Sequence, residues 1–124
     1  MCSGNGDGSR SRVLILDDEP LIVMDIEFTL NDAGYATCTA TTAEKAMSLA
    51  CEHRISAAIL DIDLGHGATS FGVADYCVDR HIPFLFHSAS LKTHQDRIDG
   101  YAAGSVAKPC EEPDMVAAVR VMLK

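Results

Sequence analysis

Basic charge is scarce in this chain: ten Lys and Arg stand against eighteen Asp and Glu, a net charge of −8. A nucleic-acid surface needs clustered cations to neutralise phosphates, and the ten here are scattered, so unaided nucleic-acid binding is not expected. The five cysteines (Cys2, Cys38, Cys51, Cys77, Cys110) include no C-x-x-C pair and have no His beside them at zinc-ligand spacing. They read as core or surface residues of a reducing compartment. No apolar run approaches the roughly 18 residues of a membrane span, and the N-terminus has no apolar signal region. The expected localisation is cytoplasmic, with no membrane contact. Internal repeats and domain linkers are also missing.

What is present suits one domain. The 124 residues are 48% apolar and 23% charged, the range of a self-folding globular chain with no room for a second unit. Residues 1–11 have little to bury and are expected to form a flexible tail, leaving 12–124 as the folded domain. Any output would then come from this domain's own surface.

Val13-Leu14-Ile15-Leu16 is a short β-branched, apolar run ending at Asp17-Asp18, which suits a strand buried on both faces. Pro20 opens a helix carrying Ile22, Ile26 and Leu30 at spacings of four, and Gly34 supplies a stop. Residues 35–40 form a second strand. Thr41-x-x-Glu44 makes a capping box for a helix with Ala43, Ala46, Met47 and Ala50 on one face. Ala57-Ala58-Ile59-Leu60 repeats the buried run and again ends in an acid, Asp61. Ser70 then caps a helix through Cys77, and Pro83 to Phe86 form a strand ending near His87-Ser88. A helix from about Leu91 to Ala103, a strand at 105–107 and a last helix from Pro113 complete five βα repeats. Such repeats imply a doubly wound parallel sheet, with function at the C-terminal strand edge.

Asp17, Asp18 and Asp61 close two buried strands, and clustered carboxylates are costly to bury unless a cation or a proton intervenes. With neither a His nor a Cys pair nearby, the set suits a hard oxygen-seeking ion such as Mg2+; solvated strand-end acids are the plainer alternative. Ser88 and Lys108, at two further strand ends, add a hydroxyl and a compact positive charge. A metal, an ammonium, a hydroxyl and an in-line acceptor are the parts phosphoryl transfer requires, and the acceptor could be Asp61.

These motifs, in order, resemble the receiver domain of two-component response regulators over nearly all of residues 12–124. The acidic pair matches Asp17-Asp18, the phosphorylated aspartate Asp61, the Ser/Thr of the fourth strand Ser88, and the Lys-Pro after the fifth Lys108-Pro109. The resemblance implies a flavodoxin-like fold with strand order 2-1-3-4-5. It implies Mg2+ held by Asp18, Asp61 and the backbone carbonyl of Asp63, with Asp17 acting largely through water. It also implies a phosphoryl donor, a histidine kinase or histidine phosphotransfer protein. The chain would catalyse only its own phosphorylation and dephosphorylation. It would be a monomer, or a weak homodimer through the face of the fourth helix, fifth strand and fifth helix, a face that could also bind a downstream target.

The sequence departs from the family at three places. Ser105 stands where a switching Tyr or Phe is usual, so the common rotamer switch cannot operate; Tyr101, in the preceding helix, is expected to pack in the core. Gly65 replaces a usual proline in Gly65-His66-Gly67, which admits unusual backbone angles, and Cys110 replaces the phenylalanine after Lys-Pro. His87, next to Ser88 but pointing to the opposite face, is expected to be structural. The Asp63 side chain is expected to face the phosphoryl site and to influence hydrolysis.

Three rival readings remain. A dinucleotide enzyme would use Gly65-His66-Gly67-Ala68-Thr69-Ser70, but the third glycine and a ribose-binding acid are missing. An aspartyl phosphatase would use Asp61 and Asp63, but there is no cap-sized insertion. A pseudo-receiver would bind partners without chemistry, against which stands the presence of all five site side chains.

Overall fold

The computed structural model describes residues 11–101 and 103–123; the expected tail at 1–11 lies almost wholly outside them. Ten elements alternate: β1 (Arg12–Leu16), α1 (Pro20–Asp32), β2 (Thr37–Ala40), α2 (Ala43–Glu52), β3 (Ile55–Leu60), α3 (Phe71–Asp79), β4 (Phe84–Ser88), α4 (Gln95–Asp99), β5 (Gly104–Ala107) and α5 (Glu112–Met122). All strands are parallel, in the order β2-β1-β3-β4-β5.

Alternation along each strand builds two cores. Leu14, Leu16, Ala58, Leu60, Phe84 and Phe86 pack with residues of α2, α3 and α4. Val13, Ile15, Ile59 and Leu85 pack with Val23, Ile26 and Leu30 of α1 and with Met115 and Val119 of α5. A strand buried on both faces has no polar position to spare, which is why β1 over 13–16, β3 over 57–60 and β4 over 84–86 read as unbroken apolar runs. Beyond these runs the next polar side chains fall at the C-terminal ends, where the acids, His87 and Ser88 stand.

Several local expectations needed correction. Thr42, rather than Thr41, caps α2, its Oγ1 accepting the Lys45 N–H at 3.1 Å. That shifts the inward face of α2 to Ala46 and Leu49, and Met47 is exposed. Ser70 is fully buried ahead of α3, but its side chain makes no capping bond. The fourth helix is only five residues long rather than thirteen: residues 91–94 form turns, and Gly100 caps the helix after Asp99. Tyr101 thus lies beyond α4. Its ring packs 5.5 Å from that of Phe86 and 5.8 Å from that of Phe84 (centroid distances), and its hydroxyl donates to Asp75 at 2.6 Å. The core role expected of Tyr101 holds, reached from a loop.

Candidate phosphoacceptor site

The β1 and β3 strand ends bring Asp17, Asp18 and Asp61 together, each offering a carboxylate oxygen within 4.8 Å of the others. Asp17 and Asp61 are buried, while Asp18 is more open. Asp17 is held at both oxygens: Oδ1 accepts the Glu19 N–H at 2.9 Å, and Oδ2 lies 2.8 Å from Lys108 Nζ. The same ammonium lies 3.4 Å from Asp61 Oδ2. One cation therefore bridges two carboxylates, and among the described residues Asp18 and the remaining Asp61 oxygen make no ion pair.

The electrostatics follow from this geometry. Burial, then the Asp17 charge, push the Asp61 carboxyl up to about 7, although Lys108 pulls the other way. Burial opposes the charge on Lys108, but its hydrogen bond to Asp17 and the charges of Asp17 and Asp61 outweigh that and raise its pKa. Three acids with one ammonium remain short of positive charge, and a carboxyl kept partly protonated near neutrality marks where a divalent ion fits. The oxygen-only donor set suits Mg2+.

Ser88 is placed at the end of β4, but its hydroxyl is engaged elsewhere. Ser88 Oγ lies 3.0 Å from Ser90 Oγ and accepts the Ser90 N–H at 3.0 Å. Ser90 Oγ donates to Asp63 Oδ2 at 2.5 Å, and His94 Nε2 lies 3.0 Å from Asp63 Oδ1. The Asp63 carboxylate, expected to face the phosphoryl site, is instead turned to the loop after β4. The Ser90 hydrogen bond, helped by His94, holds its carboxyl below the usual range. Ser90 and His94 were missed in the sequence. The two-residue offset from Ser88 was a legible signal for Ser90, whereas His94 was hidden inside a helix that does not extend so far.

The chain Asp63–Ser90–Ser88 ties Asp63 to the end of β4, beside Asp61. Asp63→Asn is expected to lengthen the phosphoryl lifetime by up to about tenfold, because a group able to orient water is lost. Equal lifetimes by radiolabel decay would dismiss this role.

Around the cluster, Gly65, His66 and Gly67 all have positive φ (84°, 52° and 79°), as the glycine loop suggested. A Cβ at Gly65 would sit 3.5 Å from Asp18 Oδ2, so the loop passes close over the acids. Ser105 is exposed on β5, opposite Phe86, and contributes nothing to the site. Burial and the charges of Asp114 and Glu111 raise the Cys110 thiol, which favours packing over redox sensing. Among the described residues, no helix is long and apolar enough to cross a membrane.

Comparison with known proteins identifies the fold and the family. The family model described as the response regulator receiver domain matches residues 13–120. The transcriptional regulatory protein PrrA of Mycobacterium tuberculosis is 30% identical over 117 residues, which cover 91% of this chain and 50% of that protein. SdrG from Sphingomonas melonis Fr1 superposes with a TM-score of 0.77 at 30% identity, covering 92% of this chain and 97% of that one. The chemotaxis response regulator CheY4 of Vibrio cholerae gives 0.78 at 25% identity, covering 91% and 98%. The chain spans about half the length of PrrA and about a quarter of the alginate regulator AlgB, another relative. Five parallel strands in this order, acids closing the first and third, Ser88 and Lys108 at the fourth and fifth, and a family match over nearly the whole chain make this protein a member of the response regulator receiver family.

Proposed function

We propose that Asp61 accepts a phosphoryl group from a phosphohistidine, and that the resulting state is read by a partner protein or passed along a relay. The observation that carries this reading is Lys108 Nζ set between Asp17 and Asp61, where it can also meet a phosphoryl oxygen on Asp61. Asp61 Oδ attacks phosphorus in line as the donor's P–N bond breaks, and the histidine nitrogen leaves with the electron pair. Lys108 and the Ser88 hydroxyl would stabilise charge on the equatorial oxygens, once Ser88 exchanges Ser90 for the phosphoryl group. Asp18, Asp61 and the Asp63 carbonyl would hold Mg2+, with Asp17 contributing through water since both its oxygens are already engaged. The ion, when bound, neutralises acceptor and phosphoryl charge together.

The donor side is supported by α1, which begins two residues after Asp18 and leaves Leu21, Met24 and Phe28 exposed at 78%, 60% and 68%. A kinase or phosphotransfer protein can pack there while presenting its histidine to the strand edge. Output through α4, β5 and α5, as a target site or a weak homodimer face, belongs to the same proposal. So does catalysis confined to the chain's own phosphorylation and dephosphorylation.

Incubation with acetyl phosphate and Mg2+, followed by intact mass, tests the reading. One phosphoryl adduct per chain, lost with EDTA, is the expected result. The absence of an adduct would leave a binding module without chemistry, and sustained turnover of a phosphomonoester would make the chain a phosphatase.

A further inference from the structure

A cavity of about 350 Å3 opens between α1, the end of β4 and the start of α5. Ile22, Ile26, Thr29, Pro109, Cys110 and Met115 form most of its wall. None of Asp17, Asp18 and Asp61 lines it, so it is separate from the acceptor cluster, although Lys108 borders both. Its volume falls in the range of small-molecule sites, and its lining has their usual character, mostly apolar with a few polar groups.

His87 is the polar group that distinguishes this cavity. It follows Leu85 by two residues on β4, so its ring turns to the α1 and α5 side, lines the cavity and is only 5% exposed. Its buried Nε2 has no hydrogen-bond partner among the described residues. A buried polar nitrogen left unpaired costs about 1–3 kcal/mol, which a ligand atom would recover. Burial, and then the Lys108 charge, lower the pKa of the ring, so it faces the cavity as a neutral imidazole. Asp25 and Glu112 border the same cavity and disfavour an anion, while the one ammonium present is taken by Asp17 and Asp61.

We infer that the cavity is a binding site for a compact, non-anionic, mainly apolar molecule with a single hydrogen-bonding group, which pairs with His87.

The test uses indole as probe, titrated into the isotope-labelled full chain and followed by NMR. Saturable shifts at Thr29, His87 and Met115, including the His87 ring nitrogens, are expected. 1-Methylindole, which lacks the N–H, is expected to bind about fivefold more weakly, the worth of one buried hydrogen bond. Ala89→Phe, at an exposed lining position, should block binding without disturbing the core. His87→Phe should remove the preference for indole over 1-methylindole, provided that its melting curve shows a folded chain. Non-saturable shifts, shifts away from the cavity, or unchanged affinity in Ala89→Phe would overturn the proposal.

Discussion

Asp61→Asn should take up no phosphoryl group from acetyl phosphate and yet melt at a higher temperature than the wild type in metal-free buffer. The first effect follows from replacing the nucleophilic carboxylate with a neutral, non-nucleophilic amide. The second follows from the cluster: asparagine keeps the shape of the side chain while removing a buried charge that faces Asp17. A gain of about 1–2 kcal/mol, several degrees in Tm, is expected above neutral pH.

The pH dependence of that gain has a definite sign. Asp61 titrates at about 7 in the folded chain and near the ordinary carboxylate value when unfolded. Between those values the folded state holds more protons, so stability falls as pH rises. The gap between Asp61→Asn and wild type should therefore be small below pH 4, widen through the interval and level off above about 7. Mg2+ should narrow it from the wild-type side, because an ion bound only to the folded state adds stability by mass action. A gap independent of both pH and Mg2+ would show that the acids do not act as a cluster.

Lys108→Ala should have the opposite balance, losing both chemistry and stability. Its ammonium is 2.8 Å from Asp17 and 3.4 Å from Asp61, with the side chain only 14% exposed. Removing one partner of a buried ion pair leaves uncompensated charge, and about 3 kcal/mol of destabilisation is expected in metal-free buffer. Phosphorylation by acetyl phosphate should slow by about 10^2 to 10^3, the usual effect of removing a donor aimed at developing charge. Mg2+ should recover part of the stability and little of the rate, since the ion can screen the acids but cannot replace the ammonium at the phosphoryl oxygen. Initial rates by intact mass, with thermal melts on the same samples, check both.

Much of this site was legible in the sequence because buried strands advertise themselves. Val13 to Leu16 and Ala57 to Leu60 admit no polar side chain, so the first acids beyond them had to stand at the strand ends. The strand order and the positions of Asp17, Asp18, Asp61, Ser88 and Lys108 followed from that and from the family resemblance. What escaped were features decided by tertiary contacts. Residues 91–103 contain enough helix formers to suggest a long helix, but Tyr101 leaves it to pack among Phe71, Phe84 and Phe86. The hydrogen bonds of Asp63 to Ser90 and His94 span 27 and 31 residues, a separation that no local periodicity reveals.

The order of the strands also sets an order of opening. β1 is flanked by β2 and β3, and β3 by β1 and β4, so Asp17 and Asp61 both terminate interior strands. β5 is an edge strand that pairs with β4 alone, is largely exposed and leads directly to Lys108. Edge segments with few buried contacts open at lower free energy than central ones. Local fluctuation of β5 would therefore withdraw the ammonium while both carboxylates stay in place. Amide exchange at 104–107 would then report how often Asp61 stands without its counter-charge.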